Sequence, residues 1–211
     1  MELIIKNISE MDLPELLDFI FLAMQPEIQN KKSFSKKGKD IIEKGYMDDL
    51  RLCTKKVDKI IQYPKKFSML FVYQHERLID KAYFLMPNVI FLGNSFSTFP
   101  FTHEYIHLRL GRDWQTENII KDRISFIQKL ETRFEANLLL TLEQLLVITL
   151  HCIIEDLDLD RTKKYLYGNN LGIFSVHILN SLEKIKKENT GFFNILDIIV
   201  NIFLKKLKDI L

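Results

Sequence analysis

The chain has 211 residues, 47% of them apolar, and its 30 basic and 28 acidic residues leave a formal net charge of +2. This length allows one sizeable hydrophobic core, and the near balance of charge argues against a nucleic-acid-binding protein. The two cysteines make no disulfide framework, no secretion signal opens the chain, and no apolar run reaches the ~20 residues needed to cross a bilayer. We therefore expect one domain, located in the cytoplasm and without a membrane span.

The first part of the chain, 1–65, is predicted to form N-terminal helices. A short helix is expected over 12–24, with Asp12 as its N-cap. The polar, lysine-rich stretch 25–40 is predicted to be a loop. A second helix is expected over 39–62, where the apolar residues are only loosely periodic.

The middle of the chain is rich in aromatic and β-branched residues. Two or three short strands are predicted over 67–74 and 82–93, the latter forming a hairpin around Pro87-Asn88. The remaining chain is predicted to be helical, in the segments 99–110, 115–157 (with at least one break), 172–187 and 191–210. The predicted fold class is therefore α+β, mainly helical, with a small sheet preceding the helix that begins at Phe99.

The segment FTHEYIHLRLG, 101–111, carries the pattern H-E-x-x-H at His103, Glu104 and His107. Residues four apart lie on one face of a helix, so the two imidazoles would converge on one point. Zinc accepts nitrogen ligands, and a glutamate beside the first ligand can take a proton from a zinc-bound water. The pattern thus predicts two metal ligands and a general base on one helix.

These residues also carry a resemblance to a known family. The segment THEYIHL, preceded by predicted strands and followed by a helix with ETRFEANLLL, resembles the zincin metallopeptidases of the gluzincin type, and looks most like the ImmA/IrrE family. In that family a later helix gives the third zinc ligand, a glutamate, and an Asn or Asp four residues on supports a ligand histidine. The resemblance covers roughly 67–150. It implies a single zincin-like peptidase domain over 1–211 that cleaves one regulatory protein, such as a transcriptional repressor.

The third ligand is where the sequence differs from the family pattern. If Asn137 takes the Asn position, the ligand position falls on Arg133, which cannot bind zinc. The available carboxylates are Glu131 and Glu135, which are four residues apart and expected on one helical face. One would bind zinc and the other would orient a ligand. Asp113, which follows a glycine turn, is a further candidate, and the sequence leaves this choice open.

The C-terminal segment 191–211 is apolar except for a helically spaced polar stripe. Such a wide apolar arc is usually buried within the fold, and the alternative uses are a homodimer interface or an interfacial membrane helix. His151 and Tyr165 lie between the H-E-x-x-H pattern and this C-terminal segment. Histidine and tyrosine side chains can stabilise an oxyanion in peptidases, although a structural role is more common.

Two functions follow from these patterns. The first is a zinc-dependent peptidase in which His103, His107 and a glutamate hold the metal and Glu104 is the base, acting on a protein or peptide substrate. The second is a non-enzymatic interaction protein, either a helical module or a degenerate zincin that keeps a binding groove. Arg133 at the expected ligand position favours the second.

Overall fold

The structure is a computed structural model, and it describes residues 1–23, 39–40, 44–65, 67–75, 82–85, 88–93, 97–188 and 190–210. The chain divides into two compact units. Unit 1 comprises Met1–Lys59 and Tyr63–Gly111, and unit 2 comprises Ile60–Gln62 and Arg112–Leu211. The described residues form eight α-helices and one five-stranded sheet, which confirms the mainly helical α+β class. The single domain expected over 1–211 stays a prediction.

Unit 1 is built on a mixed sheet. Its strands are β1 (Glu2–Asn7), β2 (Lys39–Asp40), β3 (Met69–Gln74), β4 (Ala82–Leu85) and β5 (Val89–Leu92). Their spatial order is β2-β1-β3-β5-β4, with β1, β3 and β5 parallel and the two edge strands antiparallel to their neighbours. The predicted hairpin is confirmed, because β4 pairs with β5 in antiparallel register. As a result β4 is one edge of the sheet.

The N-terminal part of this sheet corrects the sequence prediction. Residues 1–65 are not all helical, because Glu2–Asn7 forms β1 and pairs in parallel with β3, more than 60 residues further on. The loop expected over 25–40 lies mostly outside the described residues, but its last two, Lys39–Asp40, form a strand on β1. The second helix therefore begins at Lys44 rather than at residue 39.

Three helices belong to unit 1: α1 (Leu13–Ala23), α2 (Lys44–Ile60) and α3 (Thr98–Leu110). The predicted cap of α1 is confirmed: Asp12 Oδ1 accepts from the Glu15 N–H at 2.9 Å, and Glu15 Oε2 accepts from the Asp12 N–H at 3.2 Å. Its buried face packs on one side of the sheet in a cluster that includes Leu16, Phe19, Ala23, Phe71, Tyr73, Val89 and Phe91.

The opposite side of the sheet faces α3. Side chains alternate along a strand, so Ile90 points away from the α1 side that Val89 and Phe91 occupy. Phe84 pairs directly with Ile90 and therefore shares this second face. The Phe84 ring contacts His107 of α3, so the helix with the H-E-x-x-H pattern covers the face opposite α1.

The regular structure among the described residues of unit 2 is all helical. Its helices are α4 (Lys121–Phe134), α5 (Leu138–Ile154), α6 (Leu159–Gly168), α7 (Ser175–Glu188) and α8 (Phe192–Ile210), with short 3-10 turns at Asp113–Thr116 and Gly172–Phe174. The break expected within 115–157 lies at 135–137. The helix α6 was not predicted, although its N-cap Asp158 accepts from the Arg161 N–H at 2.7 Å in the usual capping geometry.

The C-terminal helix packs within unit 2. One face of α8 is buried and contacts α5 and α7; its buried residues are Phe192, Ile195, Leu196, Ile199, Val200 and Phe203. Burial within the fold, the more common reading of its apolar arc, is confirmed, while a homodimer through this helix stays a prediction. No helix in the described part of the chain is long and apolar enough to cross a membrane.

Candidate metal site

The H-E-x-x-H pattern lies on α3, as predicted. The helix begins after Ser97, whose hydroxyl accepts from the Phe99 N–H at 3.3 Å, and it ends at Gly111. Gly111 has a φ of 52°, and its N–H donates to the His107 carbonyl at 3.0 Å. A backbone with positive φ favours glycine, so Gly111 fixes the end of the helix directly after the pattern.

One face of α3 is anchored to α2 by an ion pair between a buried arginine and a half-buried aspartate. Arg109 Nε lies 2.7 Å from Asp58 Oδ1, and its Nη2 donates to the Tyr63 carbonyl at 2.7 Å. The Tyr105 hydroxyl donates to the same Asp58 oxygen at 3.0 Å. Tyr105 and Arg109 are one turn apart, so this anchor runs along a single stripe of the helix.

The histidine stripe lies on the other side of the helix. His103 and His107 are each two residues from the anchor stripe, which is a rotation of about 200° at 3.6 residues per turn. The anchored face therefore fixes the rotation of α3 about its own axis. Fixing that rotation holds both imidazoles on the opposite face.

The two imidazoles lie close together on this face of α3. Their ring centroids are 5.0 Å apart, with an angle of 75° between the planes. Two imidazoles bound to one zinc through bonds of about 2.0–2.1 Å at the tetrahedral angle have centroids about 5 Å apart. His103 is half-buried and His107 is buried, with 6% of its surface exposed. The imidazoles are thus of a ligand type that zinc accepts, and their centroid spacing is compatible with a shared ion.

Glu104 lies beside this pair in a half-buried position. Burial raises the pKa of Glu104 to about 7, and the nearby His107 and a hydrogen bond from the Phe84 backbone N–H act in the opposite direction. The carboxyl group is therefore close both to a candidate ligand and to the backbone of the edge strand β4. A side chain placed in this way can exchange a proton with a group bound next to the histidines.

The predicted third ligands lie in unit 2, where α4 ends and α5 begins. Glu131 is in the last turn of α4, and its Oε1 accepts from the Leu139 N–H at 2.7 Å, which caps α5. Glu135 is exposed and follows the helix, in a left-handed conformation with a φ of 50°. The expectation that these two glutamates share one helical face is wrong, because α4 ends at Phe134. Their role as metal ligands stays a prediction.

The remaining candidate for the third ligand, Asp113, also lies in unit 2. Asp113 is half-buried in the 3-10 turn at Asp113–Thr116 in unit 2. Among the residues for which the structure gives positions, no three His, Cys, Asp or Glu side chains form a group that could hold a metal ion. The described residues therefore bring His103 and His107 together but supply no third candidate ligand at the same point.

The downstream histidine has the surroundings of a structural residue. His151 is fully buried in unit 2, with its Nδ1 2.9 Å from the Tyr165 hydroxyl. Burial lowers the pKa of His151 to about 3, so the imidazole is neutral near pH 7. This fits the structural role that is common for such residues.

Two residues of the site were missed in the sequence. Phe84 is placed by the hairpin, since its pairing with Ile90 puts it on the face that α3 covers. Asp58 gave no signal, because a single aspartate on a charged helix is usually exposed. Arg109 on α3 was the available hint: a cation within an apolar helix requires a buried partner.

Comparisons with known proteins identify no relative. No protein-family model matches the chain, no curated protein is significantly similar to it, and no solved structure matches it.

Proposed function

We propose that this chain is a zinc-dependent peptidase whose metal is held by His103 and His107 of α3. The observation that supports the proposal most strongly is the geometry of these two imidazoles, whose centroids are 5.0 Å apart. The ion pair between Arg109 and Asp58 on the opposite face of α3 also supports the proposal, because it fixes the rotation of the helix that carries the two histidines. Glu131, Glu135 and Asp113 are the proposed sources of the third ligand.

In this proposal Glu104 transfers the proton during peptide hydrolysis. When bound, zinc supplies a Lewis acid and a water molecule of lowered pKa. Glu104 accepts the proton of the attacking water and then donates it to the leaving amine. Its place beside His107 keeps the carboxyl group close to the ligands.

The proposed substrate is an extended segment of one regulatory protein, such as a transcriptional repressor. The edge strand β4 packs next to α3, the helix that carries the proposed ligands. An extended peptide pairs with such an edge through main-chain hydrogen bonds. The preference for a regulatory protein comes from the ImmA/IrrE resemblance alone. The proposed setting is the cytoplasm, where buried free thiols such as Cys53 and Cys152 stay reduced.

A second candidate is a non-enzymatic interaction protein that keeps the binding surface of a zincin without its chemistry. The junction between α4 and α5 favours it, because Glu131 is engaged in capping α5 and Glu135 lies outside the helix. Arg133 at the expected ligand position points in the same direction. In this case zinc, if bound, would have a structural role.

The two candidates differ in the effect of one substitution. Glu104→Gln keeps the shape of the side chain and removes its basicity. Cells that express the wild-type chain should contain new protein N-termini, detected by terminal labelling and mass spectrometry, and cells with the Glu104→Gln variant should lack them. Glu183→Gln, on an exposed position of α7, is the matched control and should behave as wild type. New N-termini that persist in Glu104→Gln would exclude the peptidase.

A further inference from the structure

The ring of Phe84 lies beside the imidazole of His107 and nearly parallel to it. Their centroids are 4.9 Å apart and their planes differ by 10°. Phe84 belongs to the edge strand β4, while His107 is near the C-terminal end of α3. The contact therefore joins the sheet to the histidine stripe.

A parallel contact of this kind fixes the plane of the imidazole. The χ2 torsion of histidine has broad minima, so the ring of a helical histidine turns easily unless a neighbour restricts it. A flat aromatic partner restricts it, and such pairs are favourable beyond the area that they bury. A metal binds a ring nitrogen in the plane of the imidazole, so stacking on the face leaves the metal-binding direction unobstructed.

The backbone of the same residue contacts the predicted base. The Phe84 N–H donates a hydrogen bond to the Glu104 carboxyl group. One residue of β4 thus touches two members of the H-E-x-x-H pattern, the ligand through its ring and the base through its main chain. Both contacts lie within unit 1.

We propose that Phe84 is the positioning residue of this site, holding the imidazole of His107 in the orientation that binds zinc. The inference rests on the proposed function, because it assumes that His107 is a ligand. Phe84 does not touch the metal or the substrate in this role and acts only through His107. Groups that orient a metal ligand typically change metal affinity by 10–100-fold, so about tenfold is expected from loss of this ring.

The test compares three variants by their affinity for zinc. Phe84→Leu removes the flat ring but keeps an apolar side chain at this half-buried position, and its dissociation constant for zinc should rise about tenfold. Phe84→Tyr keeps the ring and should restore wild-type affinity. Phe91→Leu is the matched control, because Phe91 lies on the opposite face of the sheet against Phe19. It should lower stability and leave zinc affinity unchanged.

A spectroscopic measurement separates orientation from general loss of structure. Cobalt(II) bound in place of zinc should give a visible spectrum that changes in Phe84→Leu and not in Phe84→Tyr or Phe91→Leu. In the metal-free wild type, the imidazole proton resonances of His107 should lie upfield of those of His177, because the nearby and nearly parallel Phe84 ring should shield them. This resonance measurement uses the wild-type chain, so it does not depend on whether a variant at position 84 folds.

The outcomes distinguish the inference from the proposed function. If the wild type binds no zinc, the proposed function fails. If the wild type binds zinc and Phe84→Leu has the same affinity and the same cobalt spectrum, the positioning role is overturned and the metal site stands. Resonances of His107 without an upfield displacement would also overturn the positioning role.

Discussion

The anchor between α2 and α3 gives the clearest stability prediction. Asp58 accepts from both Arg109 and Tyr105, and it also pairs with Lys65. The Arg109 side chain is 4% exposed and the Asp58 side chain 21%. Replacing Asp58 with alanine leaves the Arg109 guanidinium buried without its carboxylate. The substitution also removes the acceptor of the Tyr105 hydroxyl.

The expected cost follows from this burial. Breaking a fully buried ion pair by removing one partner costs about 3–5 kcal/mol. Asp58 is partly reached by water, which offsets a share of that loss, so we expect Asp58→Ala to lower the free energy of unfolding by about 2–4 kcal/mol. The pair with Lys65 contributes little, because exposed ion pairs are worth about 0–1 kcal/mol. A loss of this size is a large part of the ~5–15 kcal/mol typical of a folded domain.

The assay is urea unfolding followed by circular dichroism. Asp48→Ala is the matched control, since Asp48 is on the same helix and pairs with Arg51 at 3.2 Å with 56% of its side chain exposed. It should cost less than about 1 kcal/mol. The double variant Asp58→Ala/Arg109→Met removes the stranded charge and should regain part of the lost stability. Equal effects of Asp58→Ala and Asp48→Ala would refute the reasoning.

Three further predictions concern unit 2. The folded-state pKa of His151, about 3, lies below its ordinary value of 6.5, so the unfolded chain binds the proton first and stability falls as the pH drops below 6.5. Lowering the pH from 6.5 to 5 should remove about 1.6 kcal/mol of stability in urea titrations. His151→Gln should lack this component, and an unchanged pH slope in that variant would contradict the reasoning. Glu131→Ala should cost about 1 kcal/mol through loss of the bond to the Leu139 N–H, measured in the same way. Glu135→Gly should raise the melting temperature, because its φ of 50° suits glycine, and a lower value would argue against the left-handed helix end.

The helix α3 and the β4–β5 hairpin could be predicted from residues close to them in the sequence. Ser97 and Gly111 are respectively a helix cap and a helix end, so the bounds of α3 followed from the sequence to within one residue. The β4–β5 hairpin followed from the turn around Pro87-Asn88. In each case the determining residues lie within a few positions of the structure that they specify.

Features that depend on distant residues were not predicted. β1 pairs with β3 across more than 60 residues, and a six-residue segment carries little signal of a partner so far away. The break within 115–157 was predicted without a position, because no glycine or proline marks the end of α4 and Glu135 itself adopts the left-handed conformation. The contacts of Phe84 and Asp58 with α3 are tertiary and leave no periodic pattern in the chain.

The most direct test of α3 as a metal site is the zinc content of the purified chain, measured by plasma mass spectrometry. About one zinc per chain is expected in the wild type, with loss in His103→Asn and in His107→Asn. His177→Asn, a substitution on α7 outside the pattern, is the matched control and should keep the metal. The same zinc content in all three variants, or none in the wild type, would contradict the assignment of His103 and His107 as ligands.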